Sequence, residues 1–118
     1  MNLNSVMIGS ENPKVLAEYY TKIFGKPTWD EGGMTGWQIG SGGLMLASHD
    51  QVKGKNTTPG RILLNIETPD VKQRFDEFKA AGATVVQEPY QPEGAPSDML
   101  VCTFADPDNN YFQLVSPM

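Results

Sequence analysis

The feature that most constrains the fold of this sequence is a pattern of secondary-structure signals that occurs twice. The apolar strand candidate "LNSVMIG" precedes the helix candidate "NPKVLAEYYTKIFG", and three short strand candidates separated by turn residues follow it. The same order returns with "RILLNIE", "TPDVKQRFDEFKAAGA" and three more strand candidates. The repeat predicts an α+β fold built from two β-α-β-β-β modules.

The two modules also align on individual residues. Pro13 and Pro69, which are 56 positions apart, each suit the first turn of a helix, and Thr68 would then cap the second helix. In the last strands Met45 matches Gln113, 68 positions later, because "MLAS" and "QLVS" follow the same pattern. This alignment predicts which positions of the two modules are structurally equivalent.

The polar stretch "DQVKGKNTTP", residues 50–59, contains Gly and Pro and predicts a linker. Module one is then expected at residues 1–49 and module two at residues 60–118. A chain of 118 residues has the length of one domain, so we expect both modules to belong to a single domain, residues 1–118.

Composition argues against several classes of function. The net charge of −5 would repel a phosphate backbone, which argues against a nucleic-acid partner. No apolar run is long enough to cross a membrane, and the N-terminus lacks the basic and apolar parts of a signal peptide, so we expect a cytoplasmic protein without a membrane partner.

The single cysteine, Cys102, permits neither an internal disulfide nor a cysteine-based zinc site, and its apolar neighbours predict a core residue.

The end of the chain, "FADPDNNYFQLVSP", places a tight turn between two strand candidates, and "LAEYYTKIFG" ends the first helix candidate. With the doubled module, these motifs resemble the vicinal oxygen chelate superfamily, which includes glyoxalase I, bleomycin-resistance proteins, fosfomycin-resistance enzymes and extradiol dioxygenases. Asn109 stands where the family's turn usually has Gly. The resemblance covers nearly the whole chain. It implies that each module curls into a half-barrel and that the two modules pair around a cleft, as in the glyoxalase/bleomycin-resistance-like fold.

The resemblance also implies where a metal would bind in this family, on the first and last strands of each module. The alignment transfers these positions to Ser5, Arg61, Met45 and Gln113, where the metal-binding members carry mainly His and Glu. A hydroxyl, a guanidinium, a thioether and an amide make a poor ligand set for a hard divalent ion. The only histidine, His49, is expected in a solvated loop. We therefore predict no metal site and no cofactor.

Strand alternation then predicts which residues line the cleft. The candidate ligand-binding residues are Ser5, Met7, Trp37, Met45, Arg61, Leu63, Asn65, Tyr111 and Gln113. The strand candidate "DMLVCTFA" leaves two sets open for the cleft: Met99, Val101 and Thr103, or Leu100, Cys102 and Phe104. Either tryptophan of the chain could form a cavity wall or pack in the core or an interface. Arg61 could meet an anionic or polar ligand group, pair with a nearby carboxylate, or reach solvent.

The leading hypothesis is a metal-independent small-molecule-binding protein, similar to the bleomycin-resistance branch, that holds an apolar or planar ligand in the cleft between the modules. The alternatives are a lyase, isomerase or transferase with an atypical site, in which Tyr111 or Asn65 positions a reacting group, and a partner-binding domain with a filled cleft. No catalytic residue is assigned, and whether the protein is an enzyme stays open. We also expect a homodimer.

Overall fold

The computed structural model describes residues 1–96 and 98–117. It divides into two compact units, residues 1–55 and the residues from Asn56 onward. The first unit contains β1 (Ser5–Ser10), α1 (Pro13–Phe24), β2 (Trp29–Glu31), β3 (Met34–Ile39) and β4 (Gly42–Ser48). The second contains a 3₁₀ turn (Pro59–Arg61), β5 (Leu64–Glu67), α2 (Val71–Ala80), β6 (Thr84–Tyr90), β7 (Val101–Ala105) and β8 (Tyr111–Val115). The prediction of an α+β fold with two β-α-β-β-β modules is confirmed.

The first unit is a four-stranded sheet with α1 packed on one face. Its strand order is β1-β4-β3-β2, with β1 parallel to β4 and the other pairs antiparallel. Leu16 and Tyr20 of α1 are buried, as are Trp37, Leu44 and Leu46 of the sheet. The rings of Tyr20 and Trp37 lie 6.0 Å apart, so the helix and the sheet share an aromatic core.

A two-residue turn joins β2 to β3 and fixes how these strands pair. Gly32 and Gly33 have φ angles of 65° and 78°, which is the left-handed backbone that a type I′ hairpin turn requires at both positions. Glu31 and Met34 close the hairpin as a cross-strand pair. Because side chains alternate along a strand, this register also decides which face each neighbouring residue of β2 and β3 occupies.

The second unit repeats the arrangement with a different core. Its strand order is β5-β8-β7-β6, with β5 parallel to β8. Phe75 of α2 stacks on Phe104 at 5.5 Å, and Phe104 stacks on Phe112 at 5.4 Å. Phe78 and Cys102 complete this cluster of buried side chains. The prediction that Cys102 is a core residue is therefore confirmed.

The helix starts show that the predicted offset between the modules was wrong by two residues. The Ser10 hydroxyl accepts a hydrogen bond from the backbone N–H of Asn12 at 2.9 Å, and the Thr68 hydroxyl accepts one from the backbone N–H of Asp70 at 3.3 Å. Asn12 and Asp70 are the two N-cap residues, so the offset is 58 rather than 56. Thr68 was predicted to be the second cap because Pro69 was taken as the first helical residue. In the structure α2 begins two residues later.

The turn between β7 and β8 is organised by one carboxylate. Asp106 Oδ1 accepts hydrogen bonds from the backbone N–H groups of Asp108 and Asn110, both at 2.9 Å. Asn109 has a φ of 62°, a conformation that asparagine tolerates better than most residues other than glycine. Its side-chain N–H donates a hydrogen bond to the backbone carbonyl oxygen of Asn56 at 3.0 Å. Asp106 thus has a structural role, and Asn109 can replace the family's usual glycine.

Candidate ligand-binding faces

One face of the first sheet points away from α1, and we call it the first helix-free face. Cross-strand pairing places Met7, Met45, Gly36 and Trp29 in one row across it. Ser5 lies in the adjacent row of the same face, two residues before Met7. Met7 is 55% exposed and Trp29 is 41% exposed, while Met45 and Ser5 are half-buried. The structure therefore places three predicted ligand-binding residues, Ser5, Met7 and Met45, on one accessible face.

The tryptophan on this face lies over two glycines. A Cβ added to Gly36 would come within 3.0 Å of Cε3 of Trp29 and within 2.7 Å of Cε of Met45. A Cβ added to Gly43 would lie 3.7 Å from Cζ3 of Trp29. The six-membered ring of the indole thus extends over positions that have no side chain. The thioether of Met45 occupies the space above Gly36 beside this ring.

Trp37 was predicted to line the ligand site, and the structure corrects this. Its side chain is 2% exposed and lies on the α1 side of the sheet, 6.5 Å from the ring of Phe24. Its indole N–H donates a hydrogen bond to the carbonyl of Gly25 at 2.8 Å, which satisfies its one polar group. Trp37 pairs with Leu44, whereas its neighbour Gly36 pairs with Met45, so Trp37 and Met45 lie on opposite faces of the sheet. Trp37 therefore stabilises the core of the first unit.

The second sheet has a corresponding face that points away from α2, the second helix-free face. Asn65, Gln113 and Thr103 form a row across β5, β8 and β7. The side-chain N–H of Gln113 donates to the Thr103 hydroxyl at 2.9 Å, so the amide has a defined orientation. Tyr111 is half-buried and precedes Gln113 by two residues on the same side of β8. Since Phe104 packs on α2, the alternative that puts Thr103 on the helix-free face is the one observed.

Arg61 was predicted to face the site from the first strand of the second module, but it lies outside that strand. It ends the 3₁₀ turn, its side chain is exposed, and its backbone N–H donates to Thr58 at 3.0 Å. The next two residues are also accessible, since Ile62 is 70% exposed and Leu63 is 41% exposed. Because β5 starts only at Leu64, strand alternation cannot be extended back to Arg61.

The corrected offset changes the positions that the family would use for a metal. The residue equivalent to Ser5 is Leu63, 58 positions later, so the four positions become Ser5, Leu63, Met45 and Gln113. An alkyl group cannot coordinate, and the remaining hydroxyl, thioether and amide include no anionic or imidazole ligand. In residues 1–96 and 98–117 no group of three or more His, Cys, Asp and Glu side chains is placed to hold a metal ion. These residues do not fit the family's metal.

The histidine of the chain lies in a loop after β4. His49 is exposed, and its Nδ1 accepts a hydrogen bond from the Gln51 backbone N–H at 3.1 Å. Its ring lies 3.7 Å from Oδ1 of Asp50, whose side chain is 96% exposed. This confirms the expectation of a solvated loop residue.

The thiol of Cys102 lies on the α2 side of the second sheet, away from the candidate ligand-binding residues. It is fully buried, and desolvation raises its pKa above the ordinary 9.0, partly offset by a hydrogen bond with the backbone of Leu114. A buried thiol with a raised pKa is a poor nucleophile, since the thiolate is the reactive form. The chemistry of Cys102 is therefore that of a core side chain.

Trp29 and Thr103 are two residues of these faces that the predicted site did not include. For Trp29 a usable signal existed in the sequence. The "EGG" turn allows a two-residue hairpin, and this register pairs Trp29 with Gly36, which puts Trp29 and Trp37 on opposite faces. For Thr103 the sequence offered only a choice between two alternating sets.

A family model described as the glyoxalase-like domain matches residues 5–115. The chain belongs to this family, and with it to the vicinal oxygen chelate superfamily. A comparison with functionally curated proteins found no match. The resemblance predicted from the terminal motif and the doubled module is thus confirmed.

Solved structures of low sequence identity share the fold. A glyoxalase/bleomycin resistance protein from Albidiferax ferrireducens T118 aligns with a TM-score of 0.77 at 19% identity, over 97% of this chain and 98% of that one. A glyoxalase/bleomycin resistance protein/dioxygenase family enzyme from Burkholderia phytofirmans PsJN gives 0.75 at 18%, over 100% of both chains. A glyoxalase-related enzyme from Fulvimarina pelagi gives 0.77 at 17%, over 99% and 88%. These similarities support the fold class.

Proposed function

We propose that this chain is a metal-independent small-molecule-binding protein that holds an apolar or planar ligand against a helix-free face. The observation that carries this proposal is the pair Met45 and Gln113, which occupy matching positions where metal-binding members of the superfamily carry His and Glu. A thioether and a neutral amide contact a ligand directly, by dispersion or by hydrogen bonding. They do not supply the charge that a hard divalent ion requires.

The first helix-free face, considered by itself, suits an apolar ligand. Met7 and Met45 have flexible, polarisable side chains that adapt to ligands of irregular shape. Trp29 adds an accessible aromatic ring beside them. An apolar surface with a small number of polar groups is typical of small-molecule sites.

The second helix-free face, considered by itself, offers uncharged hydrogen-bonding groups. Asn65 is exposed, and Gln113 has one N–H engaged by Thr103, which leaves its carbonyl oxygen able to accept a hydrogen bond. An amide carbonyl or a heterocyclic N–H matches such groups. The expected cleft between the modules stays a prediction.

Elemental analysis and thermal denaturation of the purified protein test metal independence. We expect less than about 0.1 equivalent of bound transition metal, and no rise in the melting temperature with Mn²⁺, Fe²⁺, Ni²⁺ or Zn²⁺ beyond that of Mg²⁺, because binding to the native state would stabilise it. About one equivalent of a metal, with a stabilisation that a chelator reverses, would overturn the proposal and favour a metalloenzyme.

The partner and location predictions become part of the same proposal. We propose a homodimer without a nucleic-acid or membrane partner, located in the cytoplasm. The first unit has five basic and five acidic residues and the second has four and nine, so the acidic excess lies in the second unit. In the described ranges, no helix has the length and apolar character needed to cross a membrane.

A further inference from the structure

We propose that Trp29 is the ligand-stacking residue of the first helix-free face and that it selects a planar aromatic ring without negative charge. This inference rests on the proposed function and names the class of ligand. Aromatic rings stack by dispersion and by their quadrupoles, so a planar partner gains contact that a saturated ring of equal size does not. With 41% of Trp29 exposed, part of its ring is available to such a partner.

The indole of Trp29 lies over two positions that have no side chain. Gly36 and Gly43 lie in the two adjacent rows of β3 and β4 that the ring of Trp29 covers. Neither has a positive φ, so neither is required to be glycine by its backbone conformation. A Cβ at position 36 would require the flexible thioether of Met45 to move and would lie in tight contact with the ring of Trp29. The glycine thus allows both side chains to occupy the positions they have in this structure.

The side chains around Trp29 are suited to an aromatic ligand. Met45 is packed beside the indole, and Met7 is its partner across β1 and β4. Thioethers contact aromatic ring edges favourably and adapt to their shape. The row that contains Trp29 and the adjacent row of Ser5, Gly43 and Gln38 hold no charged side chain. The row on the other side of Trp29 ends in the exposed carboxylate of Glu31. An anionic ligand group would lose hydration here without gaining an opposite charge, so the ligand carries no negative charge.

The two tryptophans separate binding from stability. Trp37 forms the aromatic core with Tyr20 and Phe24 and has its N–H bonded to Gly25. Trp29 lies on the other side of the sheet, away from that cluster. Replacing Trp29 is therefore expected to change the binding face without removing the core of the unit.

Two-dimensional NMR of the indole N–H groups tests the inference with quinoxaline as an uncharged planar probe and cyclohexanol as a non-planar one. The Trp29→Leu variant assigns the two indole signals. We expect quinoxaline to shift the Trp29 signal and the methyl signals of Met7 and Met45, and to leave Trp37 unchanged. Trp29→Leu should weaken quinoxaline binding by about tenfold. Trp29→Phe should retain affinity within about threefold, and cyclohexanol should bind more weakly than quinoxaline.

A series of glycine variants tests the space beneath the indole while every side chain proposed to contact the ligand keeps its chemical identity. Gly36→Ala should displace Met45 and Trp29 and weaken quinoxaline binding, while Gly43→Ala should have a smaller effect. Gly42→Ala is the matched control, since a Cβ there would meet only the Ile39 carbonyl oxygen at 3.9 Å. Circular dichroism checks folding. If Gly36→Ala does not fold, the two Trp29 variants carry the test.

The outcomes distinguish this inference from the proposed function. If quinoxaline binds Trp29→Leu as tightly as the wild type, or shifts signals away from Trp29, the inference is wrong and small-molecule binding stands. If neither quinoxaline nor cyclohexanol shifts any signal, both are wrong. If the wild type sediments as a dimer, Trp29→Leu sediments as a monomer and quinoxaline has no effect, the face is an interface and the inference is wrong.

Discussion

Trp29 and Trp37 lie eight positions apart, yet they have opposite roles in the first sheet. A separation of eight along a continuous strand would put both on one face, because side chains alternate with a period of two. The chain reverses at Gly32 and Gly33, and the hairpin register pairs Trp29 with Gly36, next to Trp37. The two indoles therefore point to opposite sides. The prediction of Trp37 as a site residue was wrong because strand alternation alone does not include this turn register.

Cys102 illustrates a residue whose role was predictable from its neighbours. Its apolar setting, "MLVCTFA", indicated a core position, and the structure buries it completely. Burial disfavours the charged thiolate, so its pKa is higher in the folded chain than in the unfolded chain. The stability that this contributes is fully present below the unfolded pKa, about 9.0, and is lost as the pH rises through the folded pKa.

Cys102→Ala should therefore change the pH dependence of stability. We expect the variant to be less stable than the wild type by about 1 to 3 kcal/mol near neutral pH, because it loses core contacts. The difference should shrink above about pH 9, where ionisation of the thiol begins to favour the unfolded wild type. Urea denaturation of both proteins across this range measures it. A difference that stays constant or grows would contradict the raised pKa.

At the scale of elements, the two helix starts show how similar modules use different capping bonds. In α2 the carboxylate of Asp70 accepts a hydrogen bond from the Gln73 backbone N–H at 3.1 Å. In α1 the side chain of Asn12 makes no such bond. The backbone carbonyl oxygen of Asn12 accepts a hydrogen bond from the backbone N–H of Val15. Ser10 and Thr68 bond to these caps in the same way. The cap motif is thus shared, and only the second helix adds the side-chain bond.

Asp70→Ala should destabilise the protein by about 1 kcal/mol, since it removes a charge-assisted bond to the first turn of α2. Asn12→Ala is the matched control, and a change within about 0.5 kcal/mol is expected because no side-chain bond is lost. Urea denaturation of both variants against wild type measures the two effects. Equal losses would show that the side-chain bond of Asp70 does not stabilise α2.

Element boundaries explain where the predicted site was wrong. The order of strands and helices was predictable because periodicity and turn residues agreed throughout both modules. The start of β5 was not, since "RILLNIE" reads as one apolar run although its first residues form a 3₁₀ turn and an exposed segment. Arg61 was assigned to the site on that basis. Aligning Pro13 with Pro69 reinforced the error, because a proline can precede a cap as well as begin a helix.

At the scale of the whole molecule, two modules of the same plan carry different chemistry on their helix-free faces. The first presents thioethers and an indole, represented by Met45 and Trp29, and the second presents neutral amides, represented by Gln113 and Asn65. The family and fold were predictable from the repeat and the terminal turn. The residues of each face depended on strand register, which pairing between distant strands determines and local sequence does not.

The most direct test of metal-independent binding is the dissociation constant of quinoxaline for the wild-type protein, measured in EDTA and again with added Zn²⁺ or Mn²⁺. The proposed function predicts binding in EDTA, with a dissociation constant that changes by less than about twofold when either metal is added, because protein side chains rather than a metal ion make the contacts. Binding that appears only with metal, or no binding in either condition, would contradict it.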